Sequence, residues 1–126
     1  MSTLADTSVW VQHFRQADHR LAALMQADLL LMHPMVMGEL ACGTPPQRGP
    51  MLRHLGRLRQ TNLATGAEVI DFIDREKLFG RGCGLVDLTL LASTLMTPGA
   101  RLWTLDMRLA DLAGPLGVLY VAEPLH

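Results

Sequence analysis

The 126-residue sequence has few features that would place it outside the class of ordinary globular proteins. Its two cysteines, Cys42 and Cys83, form neither a disulfide framework nor a zinc-binding spacing. The net charge of −1 argues against a strongly basic nucleic-acid surface, although it leaves room for a local basic patch. No run of about 18 apolar residues suits a membrane span, and no basic segment precedes an apolar one at the N-terminus. We therefore expect one cytoplasmic domain over residues 1–126, with reduced cysteines.

Several common catalytic motifs are missing as well. The sequence has no phosphate-binding loop of the Walker type and no glycine-rich dinucleotide fingerprint after its first apolar segment. The five histidines are scattered, so no Ser/His/Asp arrangement can be argued from them. Internal repeats and low-complexity linkers are absent too, and any chemistry must therefore come from other residue types.

What the sequence does have is a series of short apolar segments between amphipathic ones. Strands are predicted at residues 3–5, 29–32, 100–104 and 117–121. Residues 62–65 are read as either a short strand or an extended loop. Helices are predicted from residues 7 and 85, and at 19–27, 35–42, 47–59, 68–79 and 107–113. In the helix at 68–79 we expect the inward-facing residues to be Val69, Ile70, Phe72 and Ile73. This order predicts an α/β fold with a parallel sheet and helices on both faces.

Four carboxylates occupy positions of interest. Asp6 and Asp106 each follow a predicted strand, where ligand sites form in open α/β sheets. Asp87 begins a helix that is apolar nearly all round, and Glu39 is isolated in an apolar stretch. Each also has a purely structural explanation. Asp6, taken alone, is better explained as a helix N-cap, Asp87 gains from the helix dipole, and an isolated glutamate is usually exposed.

If the four carboxylates converge, their mutual repulsion requires a cation. Oxygen ligands without a His/Cys cluster suit Mg²⁺ or Mn²⁺ better than zinc. Carboxylate-bound divalent ions of this kind are the usual apparatus for phosphodiester hydrolysis. The pattern therefore favours a metal-dependent nuclease site.

Residues 47–59 form the most basic segment of the chain. Leu52, Leu55 and Leu58 supply the apolar stripe of an amphipathic helix, and Arg53 and Arg57 are four residues apart on its other side. A solvated helix face is the simpler reading. The alternative is a surface that faces RNA phosphates or a protein partner, formed by Arg48, Arg53 and Arg57.

Four short blocks of sequence, taken together, have a specific order and spacing. They are Asp6-Thr7-Ser8-Val9-Trp10, Gly38-Glu39-Leu40-Ala41-Cys42-Gly43, the stretch from Gly80-Arg81-Gly82 through Val86-Asp87 to Leu90-Leu91-Ala92-Ser93, and Leu102-Trp103-Thr104-Leu105-Asp106. These blocks resemble those of the PIN-domain family, and of its VapC-type toxins in particular. The resemblance extends over nearly the whole chain.

The resemblance implies a PIN-like α/β/α sandwich whose central strand is the first one. It also implies a Mg²⁺-dependent endoribonuclease, in which Mn²⁺ can substitute, acting as the toxin of a type II toxin–antitoxin pair. Its acidic site would be Asp6, Glu39, Asp87 and Asp106, with Thr104 supporting the first aspartate. In some relatives a later acid joins the site. Asp111 is the candidate for that acid here, and its role is left unassigned. VapC-type proteins usually form homodimers and are inhibited by a VapB-type antitoxin.

Three other hypotheses stay open at this point. One is a PIN-type nuclease that processes cellular RNA and is not a toxin. Another is an inactive PIN-like scaffold that only binds a partner. A receiver-like signalling domain also uses acids around Mg²⁺, but it expects paired acids after the first strand and a lysine near a late strand end. Here Asp6 stands alone and Arg101 comes at the start of its predicted strand rather than near its end, which argues against that class.

Overall fold

The computed structural model describes residues 1–122 of the chain. Within that range four strands are present, namely β1 (Ser2–Ala5), β2 (Leu30–Met32), β3 (Arg59–Gln60) and β4 (Ala100–Trp103). The helices are α1 (Thr7–Arg15), α2 (His19–Gln26), α3 (Pro34–Cys42), α4 (Arg48–Leu55), α5 (Gly66–Arg75), α6 (Leu85–Leu95) and α7 (Met107–Ala113). The predicted domain over residues 1–126 stays a prediction, since its last four residues lie outside the described part.

The four strands form one parallel sheet in the order β3-β2-β1-β4. β1 lies in the interior of the sheet, where Thr3 pairs with Leu30 of β2 and Ala5 pairs with Trp103 of β4. The predicted α/β fold with a parallel sheet is thus confirmed, and so is the central place of the first strand. It follows that the carboxyl ends of β1, β2 and β4 open onto the same edge.

The strands are buried along their length rather than on alternate residues. In β1 the residues Thr3, Leu4 and Ala5 are all buried, and in β2 all three residues are buried. Because successive side chains of a strand point to opposite faces, consecutive burial means that both faces of the sheet are covered. The largest fully buried side chains include Trp10 on α1, and Leu30, Met32 and Leu102 on the strands. The sheet is therefore the centre of an α/β/α arrangement.

Two strand predictions need correction. Residues 62–65 form no strand, and the loop reading is right: the third strand is Arg59–Gln60, just before them. Asn62 instead anchors the loop, since its side-chain amide donates to the Met96 carbonyl at 2.6 Å. The predicted strand at residues 117–121 is reduced to a single parallel bridge between Leu102 and Leu119.

Two helix predictions were too long. The helix expected at residues 47–59 ends at Leu55, because Gly56 follows as its C-cap. Arg57 therefore lies beyond the helix and does not form a helical pair with Arg53. The helix expected at 68–79 is Gly66–Arg75, and it begins with a capping box between Thr65 and Glu68. Val69 and Phe72 are buried and Ile73 packs against the core, as predicted, but Ile70 is 60% exposed, so the prediction was wrong for that residue alone.

A buried polar contact fixes the start of α3. His33 is the N-cap residue, and its Nδ1 accepts a hydrogen bond from the Met35 N–H at 3.0 Å. Its Nε2 lies 3.1 Å from the Ser93 hydroxyl of α6, which also accepts from the Ala64 N–H. Burial lowers the pKa of His33. The neutral imidazole thus ties α3, α6 and the loop before α5 together.

None of the helices in residues 1–122 combines the length and the apolar run needed to cross a lipid bilayer.

Candidate active site

Asp6 lies at the carboxyl end of the central strand and is 5% exposed. It is also the N-cap of α1, as its structural explanation predicted: Oδ1 accepts hydrogen bonds from the Ser8 hydroxyl at 2.5 Å and from the Val9 N–H at 3.2 Å. Among the described residues, Oδ2 receives no hydrogen bond. One oxygen of this carboxylate therefore holds the fold, and the other stays available.

Glu39 is an exposed residue on α3 that reaches toward the same end of β1. Its Oε1 accepts a hydrogen bond from the Thr7 hydroxyl at 2.6 Å. Thr7 directly follows Asp6 and begins α1. The structure thus brings Glu39 next to Asp6 through a contact between residues far apart in the sequence.

Asp106 is an exposed residue that caps α7 just after β4. Its Oδ1 accepts a hydrogen bond from the Arg108 N–H at 2.9 Å. Its own N–H donates to the Thr104 hydroxyl at 3.0 Å. Thr104 thus supports the last aspartate of the site, whereas the resemblance implied support of the first. The hydroxyl that supports Asp6 belongs to Ser8, which also accepts from the Leu105 N–H at 3.1 Å and so joins Asp6 to the Asp106 loop.

Asp87 is the third residue of α6 and is partly buried. Burial raises the pKa of this carboxyl, and the charges of Asp106, Asp6 and Glu39 raise it further. A hydrogen bond from the Gly84 backbone acts in the opposite direction on the pKa but does not reverse the shift. Asp87 is therefore close enough to each of the other three acids for their charges to interact, and the four define one electrostatic neighbourhood.

That neighbourhood is not yet a coordination sphere. Within residues 1–122, no three His, Cys, Asp or Glu side chains lie close enough together to hold a metal ion as they stand. The two observations are compatible, because charges interact over about 8–10 Å while Mg²⁺–oxygen distances are about 2 Å. In charge and donor chemistry the set fits a hard divalent cation, since it offers carboxylate oxygens and carries uncompensated negative charge.

Asp111 does not join this group in the structure. It is an exposed residue of α7 and lines a separate cavity of about 170 Å³ together with Glu76 and Arg81. The role of Asp111 therefore stays unassigned.

The three arginines predicted for an RNA or partner surface are all exposed. Arg48 donates to the Ala41 carbonyl at 2.6 Å and to the Gly43 carbonyl at 3.2 Å, so it stabilises the end of α3. Arg53 lies on α4 and Arg57 in the turn after it. Their role as a binding surface stays a prediction.

An open cavity of about 400 Å³ lies beside the acids, between α1 and α3. Glu39 lies on the wall of this cavity, together with the cation Arg15 and apolar side chains from both helices. The remaining lining residues are Val11, Phe14, Leu40 and residues 43–46.

Sequence reasoning treated Thr7 and Ser8 only as residues that start a helix. Their hydroxyls turn out to orient Glu39 and Asp6. The available signal was their position, because two hydroxyl residues follow a strand-end aspartate directly. Nothing local in the sequence marks which carboxylate Thr7 reaches.

Comparison with known proteins bears on the family of the chain. No profile of a protein family matches the chain. The chain is, however, 44% identical over 120 residues to Ribonuclease VapC32 of Mycobacterium tuberculosis, in the strain CDC 1551 / Oshkosh and in the strain H37Rv alike. The aligned region covers 95% of this chain and 97% of that protein. The parallel sheet built around the first strand and this similarity over 95% of the chain lead to one conclusion: the chain belongs to the VapC family of PIN-domain ribonucleases.

Proposed function

We propose that this protein is a metal-dependent endoribonuclease and the toxin of a type II toxin–antitoxin pair. The observation that carries the proposal is that Asp6, Glu39 and Asp106 are each held by protein hydrogen bonds on one carboxylate oxygen. Asp87 agrees with it, because burial raises the pKa of this carboxyl and the charges of Asp106, Asp6 and Glu39 raise it further. Like charges held together in a partly dry site are unfavourable unless a cation joins them. The similarity to a protein named as a ribonuclease supports RNA as the substrate.

The cation we propose is Mg²⁺, with Mn²⁺ able to replace it. Asp6, Glu39, Asp87 and Asp106 would hold it through carboxylate oxygens. When bound, it supplies a water of lowered pKa and neutralises the charge that builds up on phosphorus.

The remaining work of the chain is orientation. Asp6, Glu39 and Asp106 each accept protein hydrogen bonds on one carboxylate oxygen, from Ser8 and Val9, from Thr7 and from Arg108. The second oxygen of each receives none from the described residues. Fixing one oxygen limits the rotamers of the side chain and leaves the other free to bind, which lowers the entropy lost on metal binding.

RNA cleavage by the purified, antitoxin-free protein tests this proposal. We expect cleavage of total RNA in Mg²⁺ or Mn²⁺ and none in excess chelator. Glu39→Gln keeps an acceptor for Thr7 but removes a charge, and it should abolish cleavage. Asp74→Asn, an exposed acid on α5 away from the site, is the matched control and should cleave normally. A well-folded wild-type protein that cleaves no RNA in either metal refutes the proposal.

The toxin role is tested separately from the chemistry. We expect expression to arrest growth, and a VapB-type antitoxin to relieve the arrest and to form a complex with a homodimer of this chain. Metal-dependent cleavage without growth arrest would favour an RNA-processing nuclease instead. Failure to bind Mg²⁺ in a titration would favour an inactive scaffold.

A further inference from the structure

Arg108 is an exposed cation beside the acidic site, and among the described residues its guanidinium pairs with no carboxylate. Its backbone N–H donates to Asp106 at 2.9 Å, which places it at the rim of the site. The ion pairs of residues 1–122 involve Arg20 and Arg75, and none involves Arg108. Its guanidinium therefore retains most of its donors for a ligand.

The side chain of Arg108 has a defined seat on the loop before α6. One of its guanidinium nitrogens lies 3.4 Å from the Gly82 carbonyl, a long hydrogen bond that holds the group only loosely. A Cβ at Gly82 would come within 2.9 Å of the Arg108 Cδ, and Gly82 has a φ of +86°, which side-chain-bearing residues rarely adopt. A side chain at residue 82 would therefore have to push the Arg108 side chain out of this position.

The seat places the guanidinium between the segments that carry Asp106 and Asp87. Burial raises the pKa of the thiol of Cys83, next to Gly82, and the charges of Asp87 and Asp106 raise it further. The charges of Arg108 and Arg81 act on the same thiol and lower its pKa. The cation and the two acids therefore share the same surroundings.

This inference rests on the proposed ribonuclease function: we propose that Arg108 binds a backbone phosphate of the RNA at the rim of the acidic site, and that Gly82 is required to seat it. The acids alone repel a polyanion, so productive binding needs positive charge close to them. A guanidinium offers a planar fork of donors that matches two phosphate oxygens. Arg108 has that fork, a neighbouring carboxylate that fixes its backbone, and a loose contact that a phosphate can replace.

Three substitutions separate phosphate binding from a structural role. Arg108→Gln keeps an N–H donor for the Gly82 carbonyl but removes the charge, Arg108→Lys keeps the charge, and Gly82→Ala displaces the arginine. Arg75→Gln is the matched control, because that exposed arginine already pairs with Asp71 on α5. Cleavage kinetics give kcat and KM. Anisotropy of a short fluorescein-labelled single-stranded RNA in chelator gives Kd as a function of salt.

We expect Arg108→Gln to raise KM and Kd about tenfold with a small change in kcat. The slope of log Kd against log salt should become shallower by about 0.7, the value for one phosphate contact on a single strand. Arg108→Lys should keep the slope, Gly82→Ala should move in the direction of Arg108→Gln, and Arg75→Gln should match the wild type.

An Arg108→Gln protein with the wild-type KM and salt slope overturns the proposal even if its kcat falls, since the arginine would then only anchor the loop. If Gly82→Ala alone keeps the wild-type slope, the seat is not required and that half of the proposal is wrong. Absence of cleavage by the wild type refutes the ribonuclease function, and the binding arm still decides whether Arg108 contacts RNA.

Discussion

Replacing Asp87 by asparagine should make the metal-free protein more stable. At neutral pH the ionised Asp87 carboxylate is destabilising, because burial and the charges of Asp106, Asp6 and Glu39 all raise its pKa. Asparagine removes the charge and keeps an acceptor for the Gly84 backbone. It also loses the favourable interaction of an acid with the N-terminus of α6, about 0.3–1 kcal/mol. The raised pKa means that the unfavourable contributions outweigh the favourable ones.

The expected gain is about 0.5–2 kcal/mol, as is usual when a strained functional site is relaxed. For a chain of this size, 1 kcal/mol corresponds to a shift in Tm of about 3–5 °C. The gain should shrink as the pH is lowered toward 4. A carboxyl group whose pKa is raised on folding favours the folded state at low pH. This contribution to the free energy of unfolding is lost as the pH rises through the folded-state pKa.

Thermal melts in chelator and in excess Mg²⁺ measure both effects. Metal that binds only the folded state stabilises it by RT ln(1 + [L]/Kd), and removing one ligand should reduce this increment. Asp74→Asn serves as the control for a simple change of net charge and should leave the increment intact. A less stable metal-free Asp87→Asn protein with an undiminished response to metal would refute the reasoning and remove Asp87 from the site.

Three further predictions concern the surroundings of the acids. Thr7→Val removes the hydroxyl that holds Glu39, so kcat should fall about tenfold through poorer ligand orientation; an unchanged kcat at saturating Mg²⁺ would contradict this. Because burial lowers the pKa of His33, the free energy of unfolding should fall as the pH is lowered below about 6.5, where the unfolded chain binds the proton more readily. His33→Asn keeps an N-cap acceptor without a titrating ring, and denaturant melts should show a weaker pH dependence for it than for the wild type; equal slopes would exclude His33 as the cause. Replacing all three arginines of the predicted binding surface by alanine should weaken either RNA or antitoxin binding in titrations; these are Arg48, Arg53 and Arg57. Unchanged binding of both would show that the three residues form only a solvated surface.

The main elements of the sheet were predictable because their signals are local. The apolar run ending at Asp6 marks a buried strand, and Pro34 and Gly43 mark the limits of α3. The third strand was not predictable, since Arg59 and Gln60 are both exposed and polar and are held only by backbone pairing with β2. Such pairing leaves no pattern in the side chains.

The acidic site was predictable in part for the same reason. Its four acids stand out as solitary charges, but the interactions that orient them join distant parts of the chain. The Thr7–Glu39 contact and the Ser8–Leu105 contact depend on how helices and strands pack. Thr104 shows the limit most clearly, because it supports Asp106 and sequence alone could not say which aspartate lay within reach.

The central place of β1 has a consequence for the order in which the protein is made. Ser2 pairs with Ala100 and Ala5 with Trp103, so β1 completes its pairing only with the last of the four described strands to be synthesised. The acid at residue 6 meets the acid at residue 106 only after that pairing forms. A nascent or truncated chain lacking β4 therefore cannot assemble the four carboxylates. For an enzyme whose proposed substrate surrounds it during translation, the topology delays activity until β4 has left the ribosome.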